Sequence, residues 1–195
     1  MVGINPQRIE GRWRRGIALD LHTTSSVPMG PDAAGRMQFD TTRPEIAELL
    51  YQLKYRQNES AAAGIIETAA NFLRQTRANF DIMVPVPPSS YRRIQPVLLL
   101  ANGIGEAIGL RVVNCVTTTR HSAQLKSITN PAQRQALVAG LYTVNPTHTA
   151  GKRILLFDDL FRSGTTMNAI TDVLLNGGSA QDVCALTITK TRSNH

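Results

Sequence analysis

The chain has 195 residues, of which 42% are hydrophobic and 18% are charged, and its formal net charge is +7. This length suits one domain with an adequate core, and the composition excludes an intrinsically disordered chain. No apolar run approaches the roughly 20 residues that cross a bilayer, and the first residues lack the apolar core of a secretory signal. Cys115 and Cys184 lie far apart in apolar runs, so we expect buried thiols in a cytoplasmic protein.

Residues 1–43 show only weak signs of regular structure. The apolar residues between Trp13 and Leu21 predict one short strand, and the residues after it are turn-rich. The only histidine of this region, His22, does not make a metal site, because a metal needs several converging ligands. We therefore predict a small N-terminal extension of residues 1–43 ahead of a main domain of residues 44–195.

Two helices are predicted at the start of the main domain. The first carries an apolar stripe at helical spacing from Ile46 to Leu53. Lys54 and Arg56 follow the stripe, and two interpretations remain open: they reach a ligand pocket, or they lie in solvent at the end of the helix. The second helix, residues 59–77, is rich in alanine and is expected to serve packing.

Residues 81–87 are predicted to form the first strand of a central sheet. The loop after this strand is polar and basic, and its hydroxyls, backbone N–H groups and guanidiniums are good phosphate ligands. A basic turn in solvent explains the same residues, so both interpretations stay open. The loop consists of Pro88, Ser89, Ser90, Tyr91, Arg92 and Arg93.

The middle of the chain contains a long segment without hydrophobic periodicity. Residues 96–108 predict a helix, residues 111–116 a short strand and residues 141–144 a further strand. Between them, residues 117–135 are polar and basic. A polar stretch of this length inside a compact domain is usually functional or mobile. A plain surface loop is the alternative.

Residues 153–166 contain the parts of a site for a sugar phosphate. An apolar run from Ile154 to Phe157 predicts a strand that is buried on both faces. Asp158 and Asp159 follow where the run ends, and carboxylates accept hydrogen bonds from ribose hydroxyls, directly or through a divalent cation. An ordinary Asp-rich turn is the alternative interpretation. The loop that leads into the next helix, where N–H groups can receive a phosphate, is formed by Arg162, Ser163, Gly164, Thr165 and Thr166.

The predicted order of strands and helices, which ends with a strand at residues 183–189, suits an α/β fold. We expect a mainly parallel sheet flanked by helices. The ligand of such a sheet belongs beyond the carboxyl ends of its strands, and both candidate loops are placed there.

The positive charge is concentrated between Ile82 and Phe157. This span contains eight basic residues and one carboxylate, Glu106, whereas the rest of the chain has thirteen residues of each sign. A segment that lacks carboxylates suits a polyanionic ligand, because carboxylates would repel it. A nucleic-acid-binding face is the competing explanation, and charge alone does not separate the two.

Residues 153–166 resemble the phosphoribosyl pyrophosphate (PRPP) motif of type I phosphoribosyltransferases, in which a hydrophobic strand is followed by an acidic pair and a Thr/Ser-Thr/Ser-Gly-x-Thr loop. The rest of the chain is similar to the ComF family within that group. The zinc-binding module of many ComF relatives is missing, since the first 114 residues contain no cysteine. The similarity to ComF proteins is carried by Leu53-Lys54-Tyr55, by the strand Val84-Pro85-Val86-Pro87, and by Arg120, Gln124 and Arg134.

The resemblance implies a role for each part of the PRPP motif. Asp158 and Asp159 would hold the ribose hydroxyls, and residues 162–166 would hold the 5′-phosphate. Arg162 stands where threonine is commonest in the family. It would either add charge to the phosphate site or point to solvent.

The resemblance also implies roles for the two other polar segments. Residues 88–93 would bind pyrophosphate, although only Gln95 survives from the usual ending of this loop. Residues 117–135 would form a flexible lid that excludes water from the site. The lid would place Arg120, Lys126 or Arg134 against the leaving pyrophosphate.

The implied activity is transfer of a 5-phosphoribosyl group from PRPP to an unknown acceptor, with release of pyrophosphate. Mg²⁺ would be the cofactor, bound through PRPP and through Asp158 and Asp159. A nucleobase is a candidate acceptor, with residues 1–43 as the hood over it, and a homodimer is a candidate assembly. Two alternatives stay open: a PRPP-binding protein without catalysis, and an accessory factor of DNA uptake (competence) that binds single-stranded DNA.

Overall fold

The computed structural model of the chain describes residues 1–76, 79–88, 93–118 and 140–192. At its centre lies a five-stranded sheet in which one edge strand is antiparallel and the remaining neighbours are parallel. The mainly parallel α/β sheet predicted from the sequence is therefore confirmed. In order across the sheet, the strands are β1 (Gln7–Arg8), β2 (Arg15–Leu21), β9 (Asp182–Lys190), β8 (Arg153–Phe161) and β5 (Ile82–Pro85).

Two antiparallel pairs of strands lie outside this sheet. The first pair is β3 (Ser25–Pro31) with β4 (Met37–Thr42), and the second is β6 (Val116–Thr118) with β7 (Tyr142–Val144). The strand predicted at residues 111–116 was wrong in its bounds. Val112 makes a single parallel bridge to Met83, and regular pairing resumes only at Val116, where β7 becomes the partner.

The described helices cover both faces of the sheet. They are α1 (Glu45–Tyr55), α2 (Ala61–Thr76), α3 (Pro96–Ile108) and α4 (Thr165–Asp172), and a π-helical turn (Val173–Gly177) extends α4. The first three contribute to one core cluster, and α4 contributes to the other. The predicted stop of α3 is confirmed, because Gly109 follows it in the left-handed conformation with φ 70°.

The strand β8 joins the two halves of the core. Leu155 and Phe157 belong to the cluster beneath α1, α2 and α3, whereas Ile154 and Leu156 belong to the cluster beneath α4. All four side chains are at most 2% exposed. Successive residues of a strand point to opposite faces, so the apolar run is buried on both sides, as predicted.

The structure corrects the end of this strand. Pairing between β8 and β9 continues past Phe157 and includes Asp158 with Thr187 and Phe161 with Lys190. The acidic pair therefore lies within the strand and not after it. The longer strand exists because β9 runs alongside as a nine-residue partner, and that pairing is not visible in the local sequence of β8.

Residues 1–43 contribute more to the sheet than their sequence suggested. β2 lies beside β9 in parallel register from Arg15 with Cys184 to Leu21 with Lys190, and the hairpin β3–β4 follows outside the sheet. The central sheet thus contains strands from both sides of the division proposed at residue 43, and that division stays a prediction.

Two predictions from the sequence, on membrane-crossing segments and on the cysteines, can be compared with the described residues. Within these residues, no helix combines the length and apolarity that a membrane crossing requires. Both cysteines are free; Cys115 is buried, while Cys184 in β9 is only half-buried. The expectation of buried strand thiols is thus confirmed for the burial of Cys115 but not for that of Cys184.

An aromatic contact connects the N-terminal segment to the far end of β8. Trp13 is 6% exposed, its ring meets Phe161 edge to face with centroids 6.0 Å apart, and its Nε1 donates to the carbonyl of Ile9 at 3.1 Å. A side chain at Gly16 would collide with the indole. The backbone N–H of Arg12 also donates to the side chain of Asn168 on α4 at 2.8 Å. Residues 9–13 therefore brace the segment that connects β8 to α4.

We predict that Trp13→Ala lowers the free energy of unfolding by about 3–5 kcal/mol, because it removes a buried ring and leaves a cavity. Urea denaturation measures the loss. Phe39→Ala is the matched control, since Phe39 is 56% exposed and should change stability by less than about 0.5 kcal/mol. Equal effects of the two substitutions would contradict the bracing role.

Candidate active site

A buried ion pair organises the carboxyl end of β8. Lys54 near the end of α1 places its Nζ 2.9 Å from both carboxylate oxygens of Asp159. The side chains of Lys54 and Asp159 are only 12% and 10% exposed. Lys54 therefore does not lie in solvent at the end of the helix, whereas Arg56 is exposed; contact of Lys54 with a ligand stays a prediction.

The neighbouring carboxyl group, Asp158, has an unusual protonation equilibrium. Burial raises its pKa to about 7, and the nearby charge of Asp159 adds to the shift. The backbone N–H of Asp159, which donates to Asp158 Oδ1 at 2.8 Å, and the charge of Lys54 oppose it. Asp158 is therefore poised between its charged and neutral forms near neutral pH.

Cationic groups lie around His22, close to the acidic pair. His22 lies half-buried with Nδ1 3.1 Å from Thr189 Oγ1 on β9. Its pKa is lowered, first by burial and then by the charges of Lys54, Arg43 and Arg162, so the imidazole is neutral at physiological pH. Several positive groups therefore converge on the edge of the sheet where the acidic pair lies, and such an edge attracts anions.

The loop after β8 has the conformation that a close backbone approach requires. Gly164 has φ 72° and precedes the first residue of α4. A Cβ there would lie 2.9 Å from the ring of Phe161, so only glycine fits. Ser163 Oγ and Thr165 Oγ1 lie 2.9 Å apart, and Arg162 is exposed. The hydroxyls and the positive end of α4 are thus grouped beside the acidic pair.

The predicted pyrophosphate loop is described only at its two ends. Pro88 is exposed, and Arg93 Nε donates to Gln57 Oε1 at 2.9 Å. Arg93 and Lys54 both line a cavity of about 290 Å³, so one basic loop residue shares a cavity with the lysine of the acidic pair. The remaining candidates, Ser89, Ser90, Tyr91, Arg92, Arg120, Lys126 and Arg134, lie outside the described residues.

Sequence reasoning missed two residues that the fold brings to this site. From the sequence, His22 is only a lone histidine that makes no metal site, and Trp13 only marks the start of a predicted strand. No local pattern distinguishes them, because each acts through a residue more than 140 positions later, Thr189 or Phe161. The only signal in the sequence is that both residues flank a short apolar run, which a turn-rich segment follows.

An acidic pair on a buried parallel strand, followed by a glycine-containing loop and the start of a helix, places the chain in the class of α/β proteins with the type I phosphoribosyltransferase fold. The family model of the phosphoribosyl transferase domain matches residues 52–194. The chain therefore belongs to this family.

Individual relatives agree with this assignment. The amidophosphoribosyltransferase of Methanothermobacter thermautotrophicus is 30% identical over 110 residues, which cover 55% of this chain and 21% of that protein. This chain thus corresponds to a minor part of that relative. Adenine phosphoribosyltransferase of Trypanosoma brucei, solved with AMP, pyrophosphate and ribose-5-phosphate, matches with a TM-score of 0.51 at 12% identity, over 96% of this chain and 75% of that one.

A second adenine phosphoribosyltransferase structure gives a TM-score of 0.51 at 12% identity and covers 86% of each chain. At such low identities the structural matches establish the shared fold. They do not transfer the substrate.

We predict that Lys54→Met lowers the free energy of unfolding by about 3–5 kcal/mol, because it leaves the Asp159 carboxylate buried without its cation. The double variant Lys54→Met with Asp159→Asn should recover much of the loss, since it removes both charges. Chemical denaturation measures both variants, and Lys152→Met at an exposed lysine is the control. A double variant that is no more stable than Lys54→Met would contradict the coupling.

A second prediction follows from the raised pKa of Asp158. The folded state holds this proton more tightly than the unfolded state between about pH 4 and pH 7, so this group makes the protein less stable as pH rises through that window. Asp158→Asn removes the effect and keeps an oxygen for the Asp159 N–H. The stability advantage of the variant should grow by about 2.5 kcal/mol between pH 5 and pH 8, and an advantage independent of pH would refute the raised pKa of Asp158.

Proposed function

We propose that the protein binds PRPP and transfers its 5-phosphoribosyl group to an acceptor, with release of pyrophosphate. The observation that carries the proposal is the pairing of Asp158 with a Lys54-held Asp159 on β8, one short loop before the start of α4. Membership of the phosphoribosyl transferase domain family supports it.

The two aspartates have different tasks in this proposal. Lys54 contacts both carboxylate oxygens of Asp159, so Asp159 mainly anchors α1 against β8 and orients its neighbour. Asp158 accepts one backbone hydrogen bond through Oδ1, and its second oxygen is the natural acceptor for a ribose hydroxyl. The 5′-phosphate is assigned to residues 162–166, where hydroxyls, backbone N–H groups and the dipole of α4 coincide.

Mg²⁺ is the proposed cofactor, and the donor set restricts how it binds. Carboxylate oxygens suit this hard cation. Yet among the described residues no group of three or more His, Cys, Asp or Glu residues is placed to hold a metal, and Lys54 occupies both oxygens of Asp159. The cation would therefore arrive with the pyrophosphate of PRPP, with Asp158 as the protein's contact through ribose hydroxyls. It would neutralise charge on the leaving group.

The reaction requires little covalent chemistry from the protein. The bond between C1′ and the pyrophosphate oxygen breaks, the pyrophosphate keeps the electron pair, and the acceptor forms the new bond to C1′. The chain contributes by positioning the ribose and by balancing charge as positive charge develops on the sugar. Arg93 supports this proposal, since it shares a cavity with Lys54. Arg92, Arg120, Lys126 and Arg134 are proposed for the same task.

The hairpin β3–β4 is the proposed hood over the acceptor. It follows β2 at the carboxyl edge of the sheet and exposes large apolar side chains, whereas few other large apolar residues in the described part of the chain are exposed. A flat nucleobase is the acceptor class that such side chains suit. The exposed apolar residues of the hairpin are Val27, Met29, Met37 and Phe39.

We predict that Asp158→Asn weakens PRPP binding at pH 8 by about tenfold or more, because charge-assisted hydrogen bonds to the ribose are lost. Isothermal titration calorimetry with PRPP and Mg²⁺ measures the affinity. Glu106→Gln, at an exposed carboxylate, is the matched control. An affinity within twofold of the unmodified protein, in a variant that still unfolds cooperatively, would remove the ribose from Asp158.

Catalysis is tested separately from binding. Pyrophosphate release is followed while the protein is mixed with PRPP, Mg²⁺ and a panel of nucleobases. Release that depends on one base supports the transferase and identifies the acceptor. Tight PRPP binding without release from any mixture would favour the alternative of a PRPP-binding protein without catalysis.

A second candidate function is an accessory role in DNA uptake, which membership of the ComF family within the phosphoribosyltransferases would imply. The observation that favours it is the basic excess between Ile82 and Phe157. The cytoplasmic location and the homodimer also remain predictions.

If single-stranded DNA is a partner, its affinity should fall steeply with salt. Arg92→Ala with Arg93→Ala should then weaken binding to all sequences alike. Fluorescence anisotropy with labelled oligonucleotides measures this. Unchanged binding in the double variant would place the DNA elsewhere, and no binding at low salt would exclude this function.

A further inference from the structure

A second and larger cavity lies at the opposite end of the sheet from the acidic pair. Its volume is about 620 Å³. Its floor is formed by three parallel strands: Ile17 and Leu155 lie near the amino ends of β2 and β8, and Leu186 lies at the middle of β9. Leu155 precedes Asp158 by three residues, which is about 10 Å along a strand. None of the described residues that line the cavity belongs to the candidate active site, so the two sites are distinct.

The walls of this cavity are apolar. Phe72 and Leu73, in the last turn and a half of α2, form one wall, and Phe80 in the following connection forms another. Phe72, Phe80 and Cys184 are each half-buried, so these groups retain contact with solvent at a place where the rest of the sheet is covered. Gly16 adds no side chain to the floor.

The rim of the cavity is basic. Arg8, Arg14 and Arg15 line it. Arg8 pairs with Glu10 at 2.7 Å and Arg14 with Asp182 at 2.8 Å, both through Nε, whereas no ion pair involves Arg15 within the described part of the chain. An Nε contact uses one of the five N–H donors of a guanidinium. The rim can therefore bind an anionic head group.

We infer that this cavity is a binding site for a small organic anion with an apolar body, such as an aromatic or alkyl carboxylate or sulfonate. Its volume lies within the range of about 300–1,000 Å³ that is typical of small-molecule sites, and its lining is mostly apolar with few polar groups. The head group binds Arg14 and Arg15, and the apolar body packs between Phe72 and Phe80. The inference does not depend on the proposed transferase activity.

The shape and charge favour this ligand over a bare phosphate. A phosphate would leave the apolar floor exposed to water. The orientation of the ligand follows from the position of α2. The carbonyl end of this helix, near Thr76, repels an anion, so the head group lies on the side of the arginines. The hydrogen bond from Thr76 Oγ1 to the carbonyl of Leu73, 2.8 Å long, belongs to that helix end.

Cys184 provides a local reporter for the test, because it lines the cavity. The chain contains two cysteines, so Cys115→Ser leaves Cys184 as its only thiol. The probe is 8-anilinonaphthalene-1-sulfonate, and the readout is the rate at which N-ethylmaleimide alkylates Cys184 in the full chain, followed by mass spectrometry. We expect a saturating concentration of the probe to slow alkylation about tenfold or more.

Variants and a neutral analogue test the charge requirement. In the same background, Arg14→Gln with Arg15→Gln should weaken the protection about tenfold, because charge-assisted hydrogen bonds to the sulfonate are lost. Arg36→Gln, at an exposed arginine of the hairpin β3–β4, is the matched control and should leave the protection unchanged.

N-phenyl-1-naphthylamine, which lacks the sulfonate, should protect Cys184 less than the probe does at equal concentration. Thr76→Trp fills the mouth from an exposed position and should abolish probe-dependent protection.

Three results would overturn the inference. Alkylation that is unaffected by saturating probe means that the cavity does not take this class of ligand. Equal protection by the neutral analogue means that the arginines do not select an anion. Full probe-dependent protection in Thr76→Trp, with cooperative unfolding retained, means that the probe slows alkylation from another surface.

Discussion

The ion pair between Lys54 and Asp159 is the interaction on which the candidate site depends. It connects the first helix to the central strand at a place where both side chains are nearly inaccessible to water. Breaking such a pair leaves a buried charge, which is costly, whereas a hydrophobic pair would cost little. The protein therefore maintains a polar contact that stability alone does not require. Its consequence is a fixed position for Asp158. Burial and the nearby charge of Asp159 together raise the pKa of Asp158 to about 7.

The surroundings of this pair also explain the role of the N-terminal segment. β2 extends the sheet on the far side of β9, His22 follows it beside Thr189, and Trp13 packs against Phe161 at the end of β8. The N-terminal partner in each contact precedes residue 52, where the match to the family model begins. A segment that precedes the matched domain thus completes the sheet and braces the loop that leads into α4.

The two ends of the parallel sheet have different chemical character. At the carboxyl end, carboxylates, cationic groups and hydroxyls converge, and the proposed substrate is a polyphosphorylated sugar. At the amino end, aromatic side chains and arginines surround a cavity without a comparable group of acidic residues. The same strand, β8, contributes to both ends, so ligands at the two sites would contact one rigid element about 10 Å apart.

The sequence by itself determined the α/β class, the doubly buried strand, the acidic pair and the glycine loop, because these depend on local composition and on the alternation or continuity of apolar residues. It left open whether Lys54 reaches a ligand pocket or lies in solvent at the end of the helix. Only the tertiary structure decided that Lys54 meets Asp159, that β8 continues through the acidic pair, and that Trp13 and His22 belong to the same region. The Lys54, Trp13 and His22 contacts join residues more than 100 positions apart, and the continuation of β8 depends on its pairing with β9, 29 positions later. Such contacts arise when the strands pair and the helices pack, which no local pattern encodes.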